Sequence, residues 1–120
     1  MKVYRIKRYD ASVVDCRVLE GGRPSRQLPH VVLHSPSGFN AGYLGSGPAD
    51  LALSILVDHL GEDPDAIRAI YRAQRDNDSR ALRLHQKFKQ DVIANVILKD
   101  GECYDLGESQ IDLWLTVGAE

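Results

Sequence analysis

With 120 residues, 43% of them hydrophobic and 27% charged, the chain has the size and composition of one globular domain. It can bury about two-thirds of its unfolded surface without a disulfide or a metal. A formal net charge of -2 argues against a general nucleic-acid binder, which needs an excess of Lys and Arg on one face. The longest strongly apolar run, from Leu51 to Val57, is far too short for a bilayer.

The first stretch, from Val3 to Tyr9, alternates partly between polar and apolar residues and predicts a strand; Asp10 is a turn residue. A second strand is predicted from Ser12 to Leu19, with Val14, Cys16 and Val18 on one face, which makes Cys16 a small core residue. The only other cysteine is Cys103. Without a CxxC spacing or a leader-like N-terminus, two free thiols in a reducing, cytoplasmic compartment are expected; spacing alone leaves a Cys16–Cys103 bridge open. Lys2, Arg5, Lys7 and Arg8 interleave with Tyr4 and Tyr9. This is either a nucleic-acid contact or the charged outer side of an edge strand, and the second reading is preferred.

Gly21 and Gly22 signal a turn, and 23–29 reads as an irregular connector. The β-branched run from His30 to His34 predicts a third strand. Its two histidines would then lie on one face, roughly 13 Å apart, too far to chelate one metal. After a turn at Ser35–Gly38, four glycines fall within ten residues (Gly38, Gly42, Gly45 and Gly47) and lead into a helix start at Pro48. Proline suits a first turn because its missing N–H would be unpaired there. Ser46 or Gly47 is the expected cap, and Asp50 is expected to favour the helix dipole.

The helix should run from Pro48 to Leu60 and stop at Gly61. It is apolar nearly all round, so it should be buried on most faces. The exception is Asp50, Ser54 and Asp58, spaced by four on one narrow stripe. Asp50 and Asp58 are about 12 Å apart on such a helix, too far to share a proton. A shorter helix is expected from Asp63–Pro64, with Ala66, Ile67, Ile70 and Tyr71 inward. A long amphipathic helix should run from Arg80 to Leu98 with Leu84, Phe88, Val92 and Val96 inward. A short strand at Cys103–Leu106 and a last helix from Gln110 to Val117, with Ile111, Trp114 and Leu115 inward, complete the reading. The expected fold is α+β in a single domain over 1–120: a small antiparallel sheet of three to four strands on about four helices, around the buried central helix at 48–60.

The segment from Gly38 through Gly-Tyr (Gly42, Tyr43) and Gly-Ser-Gly-Pro-Ala (Gly45 to Ala49) into a Leu/Ala-rich helix resembles the signature of domain of unknown function family 6166. Stretches at Gln86–Ala94 and Ile111–Leu115 are similar too, so the likeness spans most of Val3 to Leu115. Ala41 stands where the pattern has a larger residue, and Leu44 where it has glycine. The resemblance implies no activity. It does imply a phage, plasmid or other mobile-element setting.

The glycine-rich loop is the best candidate site, with Phe39, Asn40, Gly42, Tyr43, Gly45, Ser46 and Gly47 as its residues. A loop feeding a helix N-terminus offers N–H groups to a small anion or nucleotide, and Phe39 or Tyr43 could stack on a ring. Yet no P-loop Lys–Ser/Thr or GxGxxG pattern follows. Close packing and tight turns are the preferred explanation of the glycines. No catalytic set, metal ligand set or cofactor motif stands out; there is no G-x-S-x-G elbow around Ser54. The expected function is therefore non-catalytic binding to a protein partner or to itself, with a small anionic ligand at 42–50 as the alternative. Nucleic-acid and membrane partners are not expected.

Overall fold

The computed structural model describes residues 1–119. Among them, four strands form one antiparallel sheet: β1 (Lys2–Asp10), β2 (Val13–Glu20), β3 (Arg26–Gln27) and β4 (Cys103–Gly107). The spatial order is β3-β2-β1-β4. β1 and β2 form a hairpin in which Ile6 faces Cys16 and Tyr4 faces Val18; β4 adds to the other side of β1, with Tyr4 facing Leu106. The hairpin turn is held by Asp10, whose Oδ1 accepts from the Ser12 N–H and hydroxyl. This local bonding is typical of Asp at a turn.

Alternation decides which face is buried. Tyr4, Ile6, Val14, Cys16, Val18 and Leu106 point to the core, while Arg5, Tyr9, Cys103 and Asp105 stand on the other face and are exposed. Arg8 continues the inward row and is also buried. β1 is thus a central strand, not an edge. The basic N-terminal set does not form a patch: Arg5 is bonded bidentately to Asp105, and Lys2 reaches Asp58. The two cysteines lie on opposite faces and both are free. Burial pushes the Cys16 thiol far above its ordinary pKa.

The helices are α1 (Ser46–Leu60), α2 (Ile67–Arg72), α3 (Arg80–Asp91) and α4 (Glu108–Val117). α1 starts two residues before Pro48. Its cap is Gly45, in an extended conformation and without a side-chain bond, rather than Ser46 or Gly47. The first i→i−4 bond, from the Ala49 N–H to the Gly45 carbonyl, comes after Pro48, so the proline costs no hydrogen bond. Gly61 closes the helix in the left-handed region, its N–H turned back to the Asp58 and Val57 carbonyls. Leu51, Ala52, Leu53, Ile55 and Leu56 are fully buried, in one core with the inner sheet face and α3. No described helix is long and apolar enough to cross a membrane.

Three further expectations need correction. The run from His30 to His34 is not a strand. The third strand is the two-residue β3, within what read as a connector. The helix from Arg80 ends at Asp91 and gives way to a 3₁₀ turn at Ile93–Asn95, where the Asn95 side chain donates to the Asp91 carbonyl. Tyr71, expected inward, is 44% exposed: it lies at the end of the six-residue second helix, which buries Ile67 instead.

Candidate functional site

The glycine-rich loop is mostly built inward. Phe39 is buried, bridges to Val14 and sets its ring 4.5 Å from that of His30. Asn40 is also buried. Its Oδ1 accepts from the Arg8 guanidinium at 2.8 Å and the Ala41 N–H at 2.9 Å, and its Nδ2 donates to the Ser12 carbonyl. Gly42 has φ +87°, and its N–H donates to the Ile93 carbonyl at 3.1 Å. A side chain there would be strained, and its Cβ would stand 3.1 Å from the Val96 carbonyl oxygen.

Gly45 and Gly47 have a different reason to be glycine. A Cβ on Gly45 would lie 2.3 Å from the Tyr43 ring, and one on Gly47 would lie 2.7 Å from the Asn40 Cβ. The N-terminus of α1 is therefore covered by the chain's own Tyr43 and Asn40. Ser46 is exposed beside it. Above the loop lies a shallow pocket of about 290 Å³, lined by Arg8, Asn40, Ala41, Gly42, Tyr43 and Ile97. Arg8 is 8% exposed and donates to the Asn40 Oδ1, the Ala41 carbonyl and the Asp10 carbonyl, all neutral oxygens. Of the lining residues, Tyr43 is 49% and Ile97 79% exposed, and Leu44, next to Tyr43 in the chain, is 65% exposed.

The polar stripe of α1 holds a second constellation. Asp50 is fully buried, and it lies beyond the first turn of the helix, so the dipole does not account for it. Its carboxylate accepts from the backbone N–H groups of Leu33, His34 and Ser35 and faces the His30 Nε2 at 2.8 Å. Because a carboxylate only accepts, the His30 Nε2 is the donor. One turn on, the Ser54 hydroxyl accepts from the Val31 N–H at 2.9 Å. Two turns on, Asp58 accepts from the Tyr4 hydroxyl at 2.6 Å, from Arg26 at 2.8 Å and from Lys2 at 3.2 Å. Segment 30–35 is thus a strap whose backbone donors are satisfied by side chains of α1 instead of by a sheet ladder. That is why this β-branched run is not a strand. Burial alone would push the Asp58 carboxyl up, but the bonds from Tyr4, Arg26 and Lys2 outweigh it and hold the group below its ordinary range. Burial and the bond to Asp58 push the Tyr4 phenol far up.

A third feature joins the strap to α3. The His34 Nε2 stands 3.0 Å from the Nε2 of His85, which is 4% exposed; the His85 Nδ1 lies 2.5 Å from the Leu82 carbonyl. Among the described residues no three His, Cys, Asp or Glu side chains gather to hold a metal. The cavity of about 160 Å³ between Pro29, Val31, Ser54, Asp58, Glu62 and Pro64 has polar walls already in use. Ser54 and Asp58 are bonded as above, and Glu62 accepts from the Ser79 hydroxyl and the Ala81 N–H at the start of α3.

The structure therefore brings Asn40, Gly42 and Tyr43 to one pocket, turns Phe39 into the core, and places Gly45 and Gly47 beneath neighbouring groups. Sequence reading missed Arg8 as a pocket wall and the His34–His85 pair. The pair is 51 residues apart in the chain and carries no motif. The signal for the strap was present: three polar residues on one stripe of a buried helix must find partners.

The chain matches the family of unknown function DUF6166 over residues 5–76, more than half its length, and belongs to that family. The match ends before α3, so the stretches at 86–94 and 111–115 lie beyond it. No curated protein and no solved structure matches the chain.

Proposed function

We propose that this member of the DUF6166 family is a non-catalytic binding protein that meets a protein partner through its glycine-rich loop, in a phage or mobile-element setting. The observation that carries the reading is the exposure of Tyr43 and Ile97, which line the loop pocket, and of Leu44, next to Tyr43 in the chain. Exposed aromatic and aliphatic side chains grouped beside a concave surface are what a partner buries at the centre of an interface. The glycines of the loop serve its own packing, and Tyr43 and Asn40 occupy the approach to the helix N-terminus. Both points weigh against a phosphate cradle.

A second reading keeps a small anion at the same pocket. It is favoured by Arg8, a buried guanidinium whose bonds among the described residues go to neutral oxygens. The test uses a Leu44→Ser/Ile97→Ser double variant, whose exposed positions should leave stability within about 0.5 kcal/mol of wild type. A protein captured by the wild type from host extract must then bind it as a purified pair, and must fail to bind the variant. Concentration-dependent dimerisation lost in the variant would assign the face to a second copy of this chain. Equal binding by both proteins would refute the reading. Phosphate and nucleotides are tested by thermal unfolding, with Gly45→Val as the loop variant: a ligand at a hundred times its Kd adds roughly 2.7 kcal/mol.

A further inference from the structure

We propose that His34 and His85 form a proton-gated clamp that ties the strap to α3 while His85 is neutral and lets the His34 ring go when His85 takes up a proton.

Geometry fixes who donates. The Leu82 carbonyl only accepts, so the His85 Nδ1 beside it carries a hydrogen. Neutral His85 then presents a lone pair at Nε2, and the His34 Nε2 facing it must be the donor. The ring centres are 5.3 Å apart and the nitrogens 3.0 Å, with the ring planes 19° apart. The difference between these distances is about the length of two half-rings. The nitrogens therefore lie on the line joining the ring centres, and the rings meet edge to edge, nearly coplanar. That is the arrangement of a single N–H···N bond. Lone pairs aimed head-on do not converge on a tetrahedral metal.

Such a contact has room for one hydrogen. A proton added to His34 goes to its Nδ1, away from the contact, and leaves the bond intact. A proton added to His85 must go to Nε2, where it would oppose the hydrogen of His34. Burial pushes the His85 pKa below its ordinary value. The Leu82 carbonyl works against that shift, His34 on the strap adds to it, Asp50 on α1 opposes it, and Lys89 on α3 adds to it. The Tyr71 ring of α2 meets His34 edge-on at 6.3 Å. At the other end of the strap the His30 ring stays bonded to the Asp50 carboxylate. The three backbone bonds to Asp50 persist. Release is thus confined to the His34 side chain, which swings to solvent and uncovers His85.

The test is an NMR titration of the full chain with labelled histidines, from pH 8 to pH 5, in wild type and His34→Gln. In wild type, His85 should titrate below the free-imidazole value of about 6.5, and the His34 signals should move with the same midpoint. In His34→Gln the amide can turn its oxygen towards a protonated His85, so the His85 midpoint should rise. If that variant fails to fold, His34→Asn offers the same amide on a shorter arm, and the shared midpoint in wild type remains decisive. A His85 midpoint at or above 6.5, or His34 signals that ignore it, would overturn the proposal. So would a thermal midpoint raised by zinc sulfate in wild type but not in His34→Gln, which would make the pair a metal site.

Discussion

Replacing Asp50 with alanine should be among the most damaging single changes in this chain. The side chain is fully buried and takes donors from Leu33, His34, Ser35 and His30. Alanine leaves three backbone N–H groups and one imidazole N–H without their acceptor. Breaking a buried charged partnership from one side costs about 3–5 kcal/mol, and stranded donors each contribute about 1–3 kcal/mol if water cannot reach them. Set against a net stability of about 5–15 kcal/mol, the variant should unfold at a midpoint lower by roughly 12–20 °C, taking about 4 °C per kcal/mol. Asp50→Asn should fall between. Its one oxygen can still serve Leu33 and His34, and its NH₂ group can donate to a re-tautomerised His30, but the Ser35 N–H loses its acceptor. Urea unfolding at pH 7.5 gives the midpoint and slope, with Asp112→Ala, an exposed carboxylate on α4, as the control. Loss of less than about 1 kcal/mol in Asp50→Ala would refute the argument that the strap is held through this carboxylate.

The glycines should rank by what their neighbours can yield. Gly47→Ala meets the backbone and Cβ of Asn40, and Gly42→Ala adds a positive φ, so each should cost about 1–3 kcal/mol in urea unfolding; Gly45→Ala meets the half-exposed Tyr43 ring, which can turn aside, and should cost less, and the reverse order would contradict the packing account. Stability should fall in two acid limbs. His85 titrates below its unfolded value, so its contribution is full above about pH 6.5 and is lost as pH falls. Asp58 is likewise depressed, so its contribution is full above about pH 4 and is lost below it; Asp58→Asn should flatten the lower limb alone in melts run from pH 8 to 3.

The frame of the fold was legible where one period or one stop signal dominates. Alternation in β1 and β2, the all-round apolar run of α1 and the stop at Gly61 each have a local cause. Cys16 as a core residue followed from the same alternation, and it is fully buried. The misreadings have a common physical origin: a backbone that bonds to side chains leaves no periodic trace. His30–His34 has strand composition, but its N–H groups go to Ser54 and Asp50. Asp50 read as a dipole partner because the start of α1 was placed too late, at Pro48 instead of Ser46. The helix after Arg80 kept its apolar period past Asp91, yet Val92, with φ -122°, leaves the helical region there. At the candidate site, only Asn40, Gly42 and Tyr43 of the seven loop residues named from the sequence line the pocket. Arg8 and Ile97 come from distant strand and loop positions, and only the folded chain unites them.

The span matched to the family, residues 5–76, contains the hairpin, the strap, the loop and α1, and with them every donor to Asp50. It does not contain what covers them. β4 pairs with β1 from Val3–Gly107 to Lys7–Cys103, and α3 is the helix packed most heavily on α1. Five apolar residues of α1 are fully buried, and a helix apolar on nearly every side needs cover on nearly every side. Exposing a few such side chains, at about 1.5–3 kcal/mol each, removes an amount comparable to the whole net stability. A fragment ending at residue 76 should therefore lack cooperative unfolding, bind a hydrophobic dye and show no near-ultraviolet signature of fixed packing. Mixing it with a 77–120 fragment should restore both, because β4 and α3 then regain their places. A sharp unfolding transition in the 1–76 fragment alone would mean that α1 finds other cover, and that α3 and β4 are additions to a core already complete.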